Sequence, residues 1–269
     1  MLFDTHCHFD FDAFDDDRSS FLRRARESGI TKMLVPGVSP GSWARQARVM
    51  AECRSYGAVG IHPFWAHEVT RAALAPALEQ LEARLADATM VAVGECGLDR
   101  ARTGRGAAPL EWQAELLVRQ LEIAHRRELP VILHCVRAHG HMIEILERLG
   151  PLPRGGVLHA YSGPPELVPR YAELGMYFGF GGAVTRPAFT RSRRALLEVP
   201  RDRLVLETDA PDQAPSWAAP PNQPAELRRI AQAIAGILGV PLESLAQQTT
   251  QNATRLFGLR LDEAGETAG

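Results

Sequence analysis

Lysine is almost absent from this chain of 269 residues: Lys32 is the only one, so arginine carries nearly all the positive charge. Arginine forks suit phosphate recognition, but codon bias accounts for the choice as simply, and no function is read from it. A positive excess is lacking as well. The net charge is −2, which argues against a general basic binder of nucleic acid. Long apolar runs are missing: nothing approaches the roughly 20 residues of a membrane span, so no membrane association is expected. The first residues show no basic region followed by an apolar run, and Asp4 already interrupts the opening strand. A secretory signal is therefore not expected. Cysteine is scarce and scattered. Cys7, Cys53, Cys96 and Cys135 form no C-x-x-C pair, which excludes a disulfide scaffold and points to free thiols in a reducing cytoplasm. There is no internal repeat, no low-complexity tract and no mark of an obligate protein partner.

What is present is an alternation of short apolar runs with amphipathic stretches. The runs fall at 2–6, 32–36, 57–61, 90–95, 131–135, 156–160, 176–180 and 203–208. They are rich in β-branched or aromatic residues and bounded by Gly or Pro, which is strand-like. Helices are predicted over 17–28, 42–54, 74–87, 110–128, 139–148, 165–173, 188–198, 224–238 and 242–257. Leu116, Leu117, Gln120, Leu121, Ile123 and Ala124 mark the apolar stripe of one of them. Eight strands alternating with helices predict a parallel sheet. Eight is also the number that closes a (β/α)8 barrel; an open doubly wound sheet is the alternative. The length suits one domain over 1–258, followed by a small acidic tail over 259–269 that is expected to be disordered.

Six metal-ligating residues are predicted at the C-terminal ends of these strands: His6 and His8, Glu95, His134, His159 and Asp209. Alternation places His6 and His8 on one face of their strand and Cys7 on the other. In an α/β barrel the strand ends converge on the rim where active sites form. Gathering four imidazoles and two carboxylates there costs free energy unless a cation compensates. Imidazole and carboxylate suit zinc, manganese, iron or another divalent ion. Six ligands exceed one tetrahedral site, so two divalent metal ions bridged by a carboxylate is the economical reading. The cysteines beside ligands, Cys7, Cys96 and Cys135, read as small packing residues on the far strand face.

The motifs resemble a known family. They are Thr5-His6-Cys7-His8-Phe9-Asp10, Gly60-Ile61-His62-Pro63, Gly94-Glu95-Cys96-Gly97-Leu98-Asp99, Leu133-His134-Cys135, Leu158-His159-Ala160-Tyr161-Ser162-Gly163, Glu207-Thr208-Asp209-Ala210-Pro211, Asn222-Gln223-Pro224 and Asn252-Ala253-Thr254-Arg255-Leu256-Phe257. Together they are similar to the TatD family of metal-dependent hydrolases, in its YjjV-like branch, from residue 2 to about 258. The resemblance implies a distorted TIM barrel of the amidohydrolase superfamily, two divalent metals (Zn, Mg, Mn or Fe), and deoxyribonuclease or other phosphoesterase activity on DNA. It implies that His6, His8 and Asp209 hold one metal, that His134 and His159 hold the other, and that Glu95 bridges them. The chain departs from the family pattern at Arg100, Val136 and Ala160-Tyr161, which bears on substrate choice rather than on metal binding.

Asp209 is also placed to orient or deprotonate the attacking water, with Glu95 as the other catalytic carboxylate. For substrate contact the candidates are His62, as a phosphate contact or a loop cap, Arg137, as a phosphate fork or a helix-start ion pair, and Tyr161, as a base-stacking ring or packing. Arg100, Arg102 and Arg105 are expected in a mobile loop near the mouth, and Trp65, like Tyr161, is read as a base-stacking ring or as packing, with packing favoured. Asp99 and Glu207 are expected to hydrogen-bond the ligands. Three functions are compatible: a phosphodiesterase on single-stranded DNA or its ends, a hydrolase of a carboxylic ester or amide such as an aminoacyl ester on RNA, and a binding protein with a relict metal site.

Overall fold

Alternation along the strands sorts the apolar residues into two cores. The computed structural model describes residues 1–102 and 106–259. The strands are β1 (Leu2–Asp4), β2 (Ile30–Pro36), β3 (Tyr56–Val59), β4 (Met90–Asp99), β5 (Val131–Val136), β6 (Gly156–Leu158), β7 (Met176–Phe180) and β8 (Leu204–Leu206). Phe3, Leu34, Ala58, Ala92, Ile132, Val157, Tyr177 and Val205, one from each strand, form the inner core. Their strand neighbours, such as Val35, Val59, Val131, Leu133 and Phe178, pack outward against the helices.

The helices are α1 (Arg18–Glu27), α2 (Trp43–Cys53), α3 (Leu74–Arg84), α4 (Leu110–Arg127), α5 (His139–Leu149), α6 (Val168–Glu173), α7 (Thr190–Glu198), α8 (Leu227–Leu238) and α9 (Leu242–Leu256). Neighbouring strands pair in parallel in the order β1 to β8. No β8–β1 ladder is formed among the described residues. Single bonds close the ring instead: Thr5 N–H and Oγ1 both donate to Leu206 O, at 3.1 and 3.0 Å, and Asp209 N–H donates to His6 O at 2.8 Å. Asp4 adds a clasp, its carboxylate accepting from Thr208 N–H at 2.9 Å and Thr208 Oγ1 at 2.6 Å. This is the distorted (β/α)8 TIM barrel expected, and not the open doubly wound sheet.

The floor of the barrel is plugged by α9. Ala253, Leu256 and Phe257 join the inner core. Buried Asn252 fastens them there by donating to Arg201 O and Leu204 O, both at 2.8 Å. The helix expected over 165–173 is shorter than its pattern: Pro165–Leu167 is a single 3-10 turn before α6. Consecutive prolines at 164 and 165 keep that entry out of α geometry. Apart from Leu259, the acidic tail expected over 259–269 lies outside the described residues, as does Arg105.

Candidate metal centre

Glu95 owes its direction to one extra residue in β4. Val93 pairs with Val131 and Cys96 with Leu133, so three steps along β4 match two along β5. Strict alternation from inward Ala92 would have turned Gly94 inward and Glu95 outward. The bulge reverses the phase: Cys96 and Leu98 now pack outward, while Glu95 and Asp99 turn in. This corrects the expectation that β4 ends at Glu95, because the strand continues to Asp99. Close approach there requires glycine. At Gly97, with φ +151°, a Cβ would sit 1.9 Å from His134 O.

His6 and His8 also need correction. β1 stops at Asp4, so they follow the strand rather than lie in it. The segment stays extended because Cys7 N–H donates to Leu34 O and His8 N–H donates to Ala210 O, at 3.1 and 2.8 Å. Cys7 still faces away and is fully buried. His134 lies within β5; His159 and Asp209 follow β6 and β8 by one and three residues. Asp209 has φ +53°, a left-handed conformation that aspartate tolerates better than most residues.

These residues converge on Glu95, which is 1% exposed. Glu95 Oε2 lies 3.1 Å from His6 Nε2 and 3.4 Å from His8 Nε2. Oε1 lies 2.8 Å from His159 Nε2 and 3.1 Å from His134 Nδ1. Asp209 Oδ1 is 3.6 Å from both His6 and His8 Nε2. The two oxygens of one carboxylate therefore face different imidazole pairs. His6 Nε2 and His8 Nε2 are 3.2 Å apart. Two nitrogens bound at about 2.1 Å to one tetrahedral ion sit about 3.4 Å apart. Three sets could each hold an ion by geometry: His6, His8 and Asp209; His6, Glu95 and His159; His62, Glu95 and His134.

The third set fails on its hydrogen bonds. Phe64 N–H donates to His62 Nδ1 at 3.0 Å. The proton of His62 is therefore on Nε2, which points at Glu95 Oε1 from 3.1 Å as a donor. Burial holds this ring neutral, with its pKa down at about 4. His62, expected as a phosphate contact or a loop cap, does cap its loop through Nδ1 and is in addition a buried donor to the central carboxylate.

Electrostatics show why the cluster suits a cation. Burial pushes the Glu95 carboxyl up, but the imidazoles of His159, His62 and His6 outweigh it and hold it well below the usual range. His159 is disfavoured as a cation by burial, yet Glu95 and Asp209 raise it to about 10. His6 stacks on His159 with ring centroids 4.0 Å apart, and burial and that neighbour's charge drive it far down. The imidazoles compete for one carboxylate, so they cannot all be protonated. A divalent ion satisfies them together, and the residues fit one.

Surrounding residues fix the rings. Asp99 Oδ2 is 2.7 Å from His134 Nε2, which leaves His134 Nδ1 free to ligate. Glu207 accepts from Ala160 N–H at 2.5 Å, but its Oε1 stands 3.8 Å from His159 Nδ1, beyond hydrogen-bond reach, so the bond to a ligand expected of Glu207 is not formed. Gln213 Nε2 donates to Asp209 Oδ2 at 2.6 Å. Buried Gln113 and Gln120 on α4 bond the backbone of Asp99 and Ile61, the latter beside His62. Asp99→Asn will keep the shape but can present its amide N–H to His134 Nε2. Metal affinity should fall about 10–100-fold with little change in melting temperature. Isothermal titration calorimetry checks this; unchanged affinity would free Asp99 from that role.

A cavity of about 350 Å³ opens above the cluster, lined by His8, Glu95, His134, His159 and Asp209 together with rings and loop residues. Of the expected substrate contacts, Arg137 is exposed and does not line it. The chain turns at Arg137 through φ +54° into α5. Tyr161 does line it, but the ring is 2% exposed. Its hydroxyl donates to Pro164 O at 2.8 Å, and the ring lies edge-on to Phe178, which is packing rather than a stacking platform. Cys135, expected on the far face, lines the cavity too, while Trp65 borders it and Arg102 lies 4.4 Å over the Phe64 ring. Sequence reading missed Gln213 and Arg186, which carry no recognisable spacing. It counted Gln120 in an apolar stripe, the one signal that a buried amide was there.

Behind Tyr161, His139 bonds Tyr171 Oη at 3.1 Å. Burial, with the charge of Arg191, lowers its imidazole from 6.5 to about 4. Folding favours the neutral ring, so this stability is complete above pH 6.5 and is lost as pH falls from 6.5 toward 4. The loss should be on the order of 2 kcal/mol. His139→Gln will flatten that part of the profile, as measured by urea unfolding across the window. An unchanged slope would remove His139 from the acid response.

Sequence and fold are both similar to those of known proteins. The family model described as TatD related DNase matches residues 3–258. The chain is 36% identical over 259 residues to the "Uncharacterized metal-dependent hydrolase YjjV" of Escherichia coli, covering 95% of this chain and 97% of that protein. The YjjV crystal structure superposes with a TM-score of 0.87, covering 96% and 98% of the two chains. The "3'-5' ssDNA/RNA exonuclease TatD" of Erwinia tasmaniensis is 36% identical over 269 residues, with coverage of 96% and 100%. A lactonase from Listeria monocytogenes shares the barrel alone, at TM-score 0.65 and 12% identity, covering 97% and 95%.

Proposed function

The chain belongs to the TatD related DNase family of metal-dependent hydrolases, and from that premise we propose that it is a dinuclear phosphodiesterase that shortens single-stranded DNA from an end. One observation carries the reading: the two oxygens of Glu95 face separate imidazole pairs, His6 and His8 on one side and His134 and His159 on the other. In this reading His6, His8 and Asp209 would hold one divalent ion, His134 and His159 would hold a second, and Glu95 would be shared between them. When bound, such a pair supplies Lewis acidity toward a phosphoryl oxygen and toward water.

The chain's own residues do the rest. Asp209, held by Gln213 at 2.6 Å, accepts the proton of the attacking water at Oδ1. Asp99 keeps His134 in the ligating tautomer. Neutral His62 offers its Nε2–H as a hydrogen-bond donor to Glu95 or to a phosphoryl oxygen beside it. Naming of relatives as ssDNA/RNA exonucleases supports the substrate class. The reading takes 1–258 as one catalytic unit at work in the reducing cytoplasm, in keeping with four buried free cysteines. No single helix among the described residues is long and apolar enough to cross a membrane.

End-labelled single-stranded DNA and an aminoacyl ester of RNA, each offered to the metal-loaded protein, test the proposal. Stepwise shortening of the DNA is expected. Ester cleavage with the DNA left intact would replace it.

A further inference from the structure

Two features of the cavity are not used by the metal centre. Phe11, Phe64 and Trp65 are half-buried and line it. They form a continuous wall, with Trp65 6.3 Å from Phe11 and 6.2 Å from Phe64 between ring centroids. The wall abuts the centre: Phe11 stacks on His8 at 4.6 Å, and Phe64 lies 5.7 Å from His134. The second feature is Arg186. Among the described residues it is the only arginine or lysine lining the cavity. Its Nε donates to Ala214 O at 2.8 Å, and its backbone carbonyl accepts from Arg193 at 2.7 Å. The stem is therefore fixed, and Arg186 makes no ion pair with a carboxylate among the described residues.

Topology sets these features across the mouth from each other. Phe64 and Trp65 follow β3 and Arg186 follows β7. Strands four apart in an eight-stranded barrel are diametrically opposed. An arginine fork matches phosphate, and a ring takes any base, because every base has a π-face. The volume, about 350 Å³, holds one nucleotide and not a base pair with its neighbours.

We propose that the mouth is a nucleotide clamp in which Arg186 grips a backbone phosphate while the Phe64–Trp65 wall stacks on one unpaired base. The clamp rests on the nuclease reading and gives it a reason to choose single strands: a base in a duplex cannot reach the wall. Arg186 thus takes the role that sequence reading gave to Arg137.

The test compares wild type, Arg186→Gln, Arg186→Lys and Trp65→Leu on an oligothymidylate and on bis(4-nitrophenyl) phosphate, a diester with no base and no second phosphate. Arg186→Gln should raise KM for the oligomer roughly tenfold or more with kcat little changed, and leave the small diester alone. Arg186→Lys should fall between. Binding of a fluorescent oligothymidylate to chelator-treated protein gives a readout independent of turnover. There Arg186→Gln should reduce the slope of log K against log salt by about 0.7. Trp65→Leu should weaken binding roughly tenfold and keep the slope. Thermal melting guards against misfolding. Variants that match wild type on the oligomer, or that lose both substrates equally, overturn the clamp alone. A wild type that cleaves the small diester but no oligonucleotide overturns the nuclease reading beneath it.

Discussion

Glu95→Gln will lower turnover by roughly 10³-fold or more and reduce the metal held per chain. Glutamine matches the volume of glutamate, so the bulge in β4 and the packing of Cys96 and Leu98 stay intact. What changes is charge. Among the described residues Glu95 is the only carboxylate touching both imidazole pairs, through Oε2 on one side and Oε1 on the other. An amide offers one neutral oxygen, and its NH2 points donors at the place where, in the proposed centre, an ion would sit. The elevated pKa of His159, at about 10, depends on Glu95 and should fall with it. Metal analysis by mass spectrometry together with steady-state kinetics checks both effects. Wild-type metal content and turnover in this variant would refute the bridging role.

Asp209→Asn will abolish turnover by a different route, by roughly 10²–10⁴-fold, while part of the metal remains. Asparagine tolerates the left-handed backbone at φ +53° as aspartate does. The variant should therefore fold normally, with His6 and His8 still 3.2 Å apart. The amide cannot take a proton from water. KM should change little compared with kcat, since the loss falls on the chemical step. Near-normal hydrolysis would remove Asp209 from proton transfer.

Sequence pattern exposed the parts of this molecule that depend on period. His134 and His159 lie two residues beyond inward Ile132 and Val157, so ordinary alternation delivers them to the site. Glu95 does not follow that rule. Its direction comes from a register shift between β4 and β5, where Val93 pairs with Val131 and Cys96 with Leu133, segments far apart in the chain. No local pattern encodes it. His62 was read as a phosphate contact or a loop cap, and its bond to Glu95 was hidden because only tertiary contacts place it there. Arg137 drew attention through proximity to His134 in the chain, yet Arg186, far off in sequence, reaches the cavity. The barrel brings strand ends together, whereas sequence shows only neighbours along the chain. Buried Gln46 and Gln113 were hidden for the same reason, since their partners are backbone groups on other elements, and Gln120 showed only as a member of an apolar stripe.

The most direct measurement is a titration of chelator-treated protein with a divalent ion, following ions bound and hydrolysis of single-stranded DNA in the same samples. A centre bridged by Glu95 predicts no hydrolysis until metal returns, full activity only at two ions per chain, and a single bound ion that leaves Glu95→Gln inactive. Full activity at one ion, or activity that survives verified metal removal, would contradict it.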